Sequence, residues 1–225
     1  MNGRAMETNM AKLAFIGGTG PEGLGLAMRF AKAGNAVYIG SRNEERAAEA
    51  VAKVLEKVPE GEGYGGLNEE GAERAEVVFI TVPADAHHDT LTGLAEQIAD
   101  KIVVDVVVPM VWDKDGPRAI PVEEGSAAEQ ARAILDKAKI VSGFHHLDAS
   151  DLQRVDRPMQ GDVIVCSDHR GAKKRVMDLV EQIEYVRALD GGGLANSRYT
   201  EELTVLLLQI NRIYRSHSGV RITGI

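Results

Sequence analysis

The chain holds a single cysteine, Cys166, so no intrachain disulfide can form, and a reducing, cytoplasmic setting is the expectation. Aromatic residues are only 4% of the 225, too few for the stacking platforms that hold single-stranded nucleic acid. Basic runs are absent too, and the formal net charge is −8. That balance argues against nucleic acid or an anionic membrane as partner, so an anionic ligand must meet a local cationic site. No apolar stretch approaches the length of a transmembrane helix. The opening Met1-Asn2-Gly3-Arg4 lacks a signal-peptide core. Residues 1–10 read as a polar extension, with Met6 and Met10 as alternative starts. Nothing resembles a Ser–His–Asp triad, paired glycosidase carboxylates or a catalytic lysine constellation. His87-His88 has no cysteine or third histidine at ligand spacing, which argues against a metal site.

What remains is a hydrophobic content of 44%, enough for one domain of ordinary size and a small second one. Residues 12–42 form the most informative stretch. An apolar strand (Leu13, Ala14, Phe15, Ile16) runs into Gly17-Gly18-Thr19-Gly20-Pro21-Glu22-Gly23, then a helical pattern, then a second strand over 36–40. Strand, glycine turn, helix and strand in that order are the parts of a dinucleotide-binding unit. Gly18 allows the tight turn, Gly20 lets the backbone approach a pyrophosphate, and Gly23 lets helix and strand pack closely. The helix N-terminus offers free N–H groups and a partial positive charge to the phosphates.

The end of the second strand selects the dinucleotide. An acid there would accept from a ribose 2′-OH and repel a 2′-phosphate. This chain has Gly40-Ser41-Arg42 instead, with Arg46 one helical turn on. A hydroxyl and a guanidinium suit a phosphate, so NADP(H) is the expected ligand. The competing reading is a solvated face in which Arg42 and Arg46 balance Glu44, Glu45 and Glu49.

Downstream, residues 43–58 read as a helix, 59–66 as a glycine-rich loop, and Asn68–Arg74 as a short helix. Residues 76–83 and 101–109 are continuous apolar runs of the kind found in parallel sheets, with a helix over about 86–99 between them. The segment 110–124 reads as a long loop, a lid or binding element. A helix over 126–136 opens on Ser126, with Glu129 three residues later. A strand at 139–144 follows, then a short strand (163–166), a helix (170–183), a short strand near 186–189 and a final helix over about 195–214. Strands alternating with helices mean a parallel sheet with right-handed crossovers. The last helix carries Leu203, Leu206, Leu207 and Ile210 on one stripe, with Val205 and Leu208 off it. It needs burial on two sides, and a homodimer or higher homo-oligomer supplies the second.

Ligands of open parallel sheets bind at the C-terminal strand ends. Those ends are Gly18 to Glu22, Ser41-Arg42, Thr81-Val82-Pro83, Val108-Pro109 and His145-His146. Adjacent residues of an extended segment point opposite ways, so one histidine is expected in the pocket, His145, and one in a structural role. Cys166 reads as a small buried hydrophobe. Gly191-Gly192-Gly193 is either a loop device or a place for close approach of a flat ligand, beside Asn196 and Ser197.

The chain resembles the coenzyme F420:NADP oxidoreductases, the NADPH-dependent F420 reductases. The likeness runs from Lys12 over nearly the whole length. It is carried by Gly17-Gly18-Thr19-Gly20, Gly40-Ser41-Arg42, Thr81-Val82-Pro83, Lys101-Ile102-Val103-Val104 and Ser126-Ala127-Ala128-Glu129. Further on come Val141-Ser142 with His145, Asn196-Ser197-Arg198, Glu201, Leu203-Thr204 and Gly219-Val220-Arg221-Ile222. The resemblance implies an α/β protein: a Rossmann-like doubly wound parallel sheet over 11–140, then a smaller C-terminal α/β domain over 141–225 that completes a cleft. NADP(H) would lie along Thr19, Gly20, Pro21, Glu22, Ser41, Arg42, Arg46, Val82 and Val108, with Ala149 near the nicotinamide. Coenzyme F420, a co-substrate, would stack its deazaflavin on the nicotinamide in a pocket with His145, Leu147 and Thr204. Hydride would pass directly and reversibly between nicotinamide C4 and deazaflavin C5, with no metal and no side chain essential by its own chemistry. The anionic F420 tail would meet arginines among Arg118, Arg154, Arg157, Arg198, Arg212 and Arg215. Two other readings stay open: an NADP(H)-dependent reductase of a flavin, imine or other small acceptor, and a non-catalytic NADP(H)-sensing protein.

Overall fold

The computed structural model describes residues 12–225. The expected polar extension over 1–10, and residue 11 at the head of the first domain, lie outside the described residues. Six parallel strands form one sheet in the order β3-β2-β1-β4-β5-β8. They are β1 (Lys12–Ile16), β2 (Ala36–Ser41), β3 (Glu62–Leu67), β4 (Val77–Ile80), β5 (Ile102–Asp105) and β8 (Lys139–Ser142). The order reverses between β1 and β4, which leaves a crevice at their C-terminal ends. Side chains alternate across the sheet and feed two apolar layers. Leu13, Phe15, Val37 and Phe79 pack on one face; Ala14, Ile16, Val78 and Ile80 pack on the other.

Helices α1 (Pro21–Lys32), α2 (Glu44–Lys57), α3 (Asn68–Arg74), α4 (His87–Leu94) and α5 (Ala127–Ile134) make the crossovers. Asn43 caps α2 through the Arg46 N–H at 2.8 Å, and Ser126 caps α5 through the Glu129 N–H at 3.0 Å. Each such cap contributes about 1 kcal/mol.

Four expectations need correction. The stretch 59–66 is not all loop, because residues 62–67 form edge strand β3, paired in register with β2 from Ala36↔Glu62 to Ser41↔Leu67. Its glycines serve close packing: a Cβ on Gly65 would sit 2.6 Å from the Ala47 carbonyl oxygen of α2. The segment 110–124 is not structureless, because β6 (Met110–Asp113) and β7 (Gly116–Ala119) pair as an antiparallel hairpin. Its turn is fixed by Asp113 Oδ1 accepting the Asp115 N–H at 2.8 Å and by Gly116 at φ 112. The helix expected over 86–99 spans only His87–Leu94 and is followed by turns to Asp100, which is left-handed at φ 61. The strand expected over 101–109 ends at Asp105, whose Oδ1 takes the Val107 N–H at 3.0 Å and turns the chain out of the ladder.

Beyond β8 come α6 (Ala149–Leu152), β9 (Gly161–Val165), α7 (Arg170–Val180), β10 (Val186–Asp190) and α8 (Ser197–Tyr214). The β9-α7-β10 unit is a parallel pair tied to β8 by the Ser142↔Cys166 bridge. Phe144, Val163, Val165 and Val176 share an apolar cluster with Phe15 and Phe79 of the large sheet. Phe15 and Phe79 stack at 4.9 Å and Phe144 meets Phe79 edge-on at 5.5 Å. Cys166 is fully buried and its thiol is pushed up to about 11, chiefly by burial. On α8, Val205 is buried, while Leu206 and Ile213 stay 55% and 70% exposed in the single chain. The second side of this helix is therefore uncovered.

Candidate functional site

The glycine turn hangs from β1 and is held from the sheet and from α3. Gly18 N donates to the Phe15 and Gly40 carbonyls at 3.1 Å each. Gly17, left-handed at φ 71, donates to Asn68 Oδ1 at 3.2 Å. Thr81 Oγ1 donates to the Ile16 carbonyl at 2.9 Å, and a Cβ on Gly23 would lie 2.5 Å from that oxygen. Glycine at 23 is what lets α1 start this close to the strand ends. Gly20 is the N-cap of α1 with no side-chain cap, and Pro21 has no N–H to leave free. The open donors of the first turn are thus the amides of Glu22 and Gly23.

A cleft of about 460 Å³ opens at the crevice. One wall is the strand ends, Val82 to Ala84 and Val106 to Val108; the second is Glu22 with His145 to Ala149; the third is α8, through Thr204, Leu207, Leu208 and Asn211. Of the residues expected in the site, Glu22, Val82, Val108, His145, Leu147, Ala149 and Thr204 come together here. Arg42 lines a neighbouring hollow of about 560 Å³ with Asn68, Glu69 and Asp85, and Pro83 borders both spaces. Thr19, Gly20, Pro21, Ser41 and Arg46 line neither: Thr19 and Gly20 lie on the turn, Pro21 opens α1, Ser41 ends β2 and Arg46 is in the first turn of α2. Arg42 and Arg46 are exposed and have no ion-pair partner among the described residues. The Ser41 hydroxyl accepts the Asn43 N–H at 3.1 Å.

The electrostatics of the cleft are set by burial. His145 is 6% exposed, and both its ring nitrogens lack a hydrogen-bond partner among the described residues. Burial first, and the adjacent His146 second, hold its pKa down at about 3 against the pull of Asp105, so the ring is neutral. Glu22 Oε1 is likewise buried and unpartnered, and burial with the charge of Asp148 raises its carboxyl well above the ordinary range. The expected split into one pocket histidine and one structural histidine does not hold, because β8 ends at Ser142, the pair lies in a turn and both residues border the cleft. His146 in addition places its Nε2 2.8 Å from the Thr200 carbonyl of α8. These free donors and acceptors around an apolar space are what a ring with polar edges requires.

Several site residues were missed from the sequence. Met110, Leu207, Leu208, Asn211 and Ser218 line the cleft. Met110 opens the segment read as a binding element, and Leu207 and Leu208 belong to the apolar pattern of the last helix, but nothing local marks Asn211 and Ser218 or assigns the leucines to a cleft. Arg29 is 5% exposed and donates to four carbonyls: Leu152 at 2.9 Å, Arg157 at 2.9 Å, Asp151 at 2.6 Å and Arg154 at 2.8 Å. It ties α1 to the segment carrying Ala149. Among the described residues no three His, Cys, Asp or Glu side chains group as a metal site. Among the described residues no helix is long and apolar enough to cross a membrane.

Comparisons with known proteins bear on the family and the fold. Residues 12–109 match the family model described as NADP oxidoreductase coenzyme F420-dependent. The F420-dependent NADP reductase of Methanothermobacter thermautotrophicus is 42% identical over 221 residues, covering 95% of each chain. The chain belongs to the F420-dependent NADP reductase family. The reductase of that name from Methanocaldococcus jannaschii is 38% identical, over 95% of this chain and 99% of its own. A crystal structure from Arthrobacter sp. FB24 superimposes with a TM-score of 0.82 over 95% of this chain and 100% of that one. At 24% identity it supports the fold alone. The family's Rossmann-like α/β architecture is therefore the one this chain adopts.

Proposed function

We propose that the chain catalyses reversible, direct hydride transfer between the nicotinamide C4 of NADP(H) and the deazaflavin C5 of coenzyme F420. The observation that carries this is the cleft itself: the first turn of α1 at Glu22, the ends of β4 and β5, the chain after β8 and α8 converge on one space. When both substrates are bound they supply the hydride donor and acceptor, and the protein supplies position, orientation and exclusion of water. The first-turn amides of α1 and the glycine turn would hold the pyrophosphate. Ser41, Arg42 and Arg46 would hold the 2′-phosphate, and the absence of ion pairs at both arginines among the described residues supports that use over a solvated charge face. Val82, Val108 and Ala149 would flank the nicotinamide, and Thr204, Leu147 and neutral His145 would face the deazaflavin. A neutral imidazole offers one donor and one acceptor without placing charge in the cleft.

In this reading residues 11–140 bind NADP(H) and residues 141–225 complete the F420 side. The exposed Leu206 and Ile213 of α8, with Trp112 of the hairpin at 62% exposed, would be covered by a second copy of the chain. The protein would act in the cytoplasm.

The test is the deazaflavin absorbance during incubation of the pure protein with NADPH and oxidised F420, beside NADH and FMN controls. Bleaching with NADPH and F420 alone is the expected result. Bleaching with FMN but not F420 would transfer the cleft to a flavin, and binding of NADPH with no acceptor reduced would make the protein a sensor.

A further inference from the structure

Two walls of the cleft, the strand ends and α8, begin a few residues from members of a buried polar network that has no place in the proposed hydride transfer. Pro83 and Ala84 lead into His87, Val106 to Val108 follow Asp105, and Thr204 to Asn211 follow Glu201 on α8. His87, Asp105 and Glu201 are 2%, 0% and 3% exposed. His87 Nε2 lies 2.7 Å from Asp105 Oδ2, and its Nδ1 lies 3.0 Å from Gln130 Oε1 on α5. Both ring nitrogens thus face oxygen acceptors, the arrangement of an imidazolium paired with a carboxylate. Glu201 reaches across from α8 to the first turn of α5. Its Oε2 accepts the Ala127 N–H at 2.9 Å and its Oε1 the Ala128 N–H at 3.3 Å. A carboxylate on two open amides at a helix N-terminus is a charge-assisted clamp.

We propose that Glu201 is a positioning residue for hydride transfer: by joining α8 to α5 beside the Asp105–His87 pair, it sets the gap between the α8 wall and the strand-end wall. This inference rests on the reading of the cleft as the meeting place of nicotinamide and deazaflavin. A gap between two rings tolerates little error, because a displacement of about 1 Å costs on the order of 100-fold in rate. The charged and titratable groups around Glu201 are Asp105 on β5, His87 on α4, Glu129 on α5 paired with Arg198 of α8 at 2.9 Å, Cys166 after β9, and His145 and His146 after β8. Burial and Asp105 raise the Glu201 carboxyl to about 8, against the two amides, so the clamp gains its full charge only on the alkaline side. Turnover then carries a pH step that belongs to a residue outside the cleft.

The experiment compares wild type with Glu201→Gln, which keeps the shape and loses the charge, and with Glu201→Asp. Turnover and both Michaelis constants are followed against pH, and amide exchange over residues 126–131 is measured in the free protein. The expected result for Glu201→Gln is a fall in kcat of roughly 30- to 100-fold on the alkaline side, where the wild-type carboxyl is charged, with both KM values within about threefold and the pH step near 8 lost. Exchange over 126–131 should rise about tenfold, with partial rescue of both readouts in Glu201→Asp. Wild-type kcat with an unmoved pH profile, or a change confined to KM, would overturn the inference. Should wild type fail to reduce F420, the functional reading falls separately, and exchange decides the clamp: unchanged rates in Glu201→Gln would refute it.

Discussion

Arg29 Nε of α1 donates to the carbonyl of Leu152 in α6 at 2.9 Å, which makes α1 and the segment bearing Ala149 one body. The same guanidinium takes three more carbonyls from residues 151–157, and Lys32 adds the carbonyl of Val155. The carbonyls of Asp151 and Arg154 also accept the Arg154 and Arg157 N–H groups, at 3.1 and 3.0 Å. Those of Leu152 and Arg157 take no backbone donor among the described residues and are satisfied from α1. Removing the guanidinium strands these last two and takes one of two donors from the others. Arg29→Ala should destabilise the fold by roughly 3–5 kcal/mol, read from urea unfolding. At temperatures where it still folds, its NADPH affinity should fall, since α1 and Ala149 no longer share a fixed frame. Stability within about 0.5 kcal/mol of wild type would mean that water replaces the guanidinium without penalty.

The histidines give opposite pH signatures. His145 has a folded pKa of about 3 against an ordinary 6.5, so below pH 6.5 the unfolded chain takes a proton that the folded one refuses. Stability is therefore lost as pH falls from 6.5 towards 3. His87 is the reverse: burial alone would lower it, yet Asp105 and Gln130 hold it at about 9. Its contribution is whole below 6.5 and lost as pH rises through 9, a change of roughly 2–3 kcal/mol. Denaturation at pH 5, 7 and 9 should show His145→Gln flattening the acid limb and His87→Gln flattening the alkaline limb. A variant that leaves its own limb unaltered would remove that histidine from the account.

Much of this was legible in the sequence, and the boundary is physical. The buried parallel strands stand out because both their faces are covered, so Val77 to Ile80 and Ile102 to Val104 are continuous apolar runs. The glycine turn is legible because backbone sterics dictate its residues. β3 was hidden because the glycines that let it approach α2 are the same residues that mark loops. Arg29 was hidden because its partners are carbonyls, which every residue has. The network of His87, Asp105 and Glu201 unites three segments distant in the chain, and no local spacing records that meeting.

Specificity for NADPH over NADH should reside in Arg42. It lines the hollow beside the Ser41 strand end and, although Glu69 and Asp85 line the same hollow, it forms no ion pair among the described residues. A charge-assisted bond to a phosphate is worth about 1.5–3 kcal/mol, or roughly 10- to 100-fold in binding. Arg42→Glu should raise the KM for NADPH by that factor while leaving NADH little altered, because only NADPH has the 2′-phosphate. Equal losses for both dinucleotides would relocate the 2′-phosphate site.

The anionic F420 tail should be gripped by Arg215. The other sequence candidates are committed within the protein. Arg154 pairs with Asp151 at 3.1 Å, Arg198 with Glu129 at 2.9 Å, Arg157 with Asp156 at 3.9 Å and Arg118 with Asp113 at 3.5 Å, while Arg212 donates to the Asp115 carbonyl. Arg215 has no such partner among the described residues, and it ends α8 in a left-handed conformation at φ 52, one turn beyond Asn211 of the cleft wall. Ser218, whose N–H and hydroxyl both donate to Asn211 Oδ1, keeps this corner at the cleft mouth. Arg215→Ala should raise the KM for F420 by about 10-fold at low salt with kcat nearly unchanged, because a remote charge contributes equally to ground state and transition state. The effect should shrink as salt screens an exposed charge. Unchanged kinetics with F420 at every salt concentration would place the tail in solvent, away from this corner.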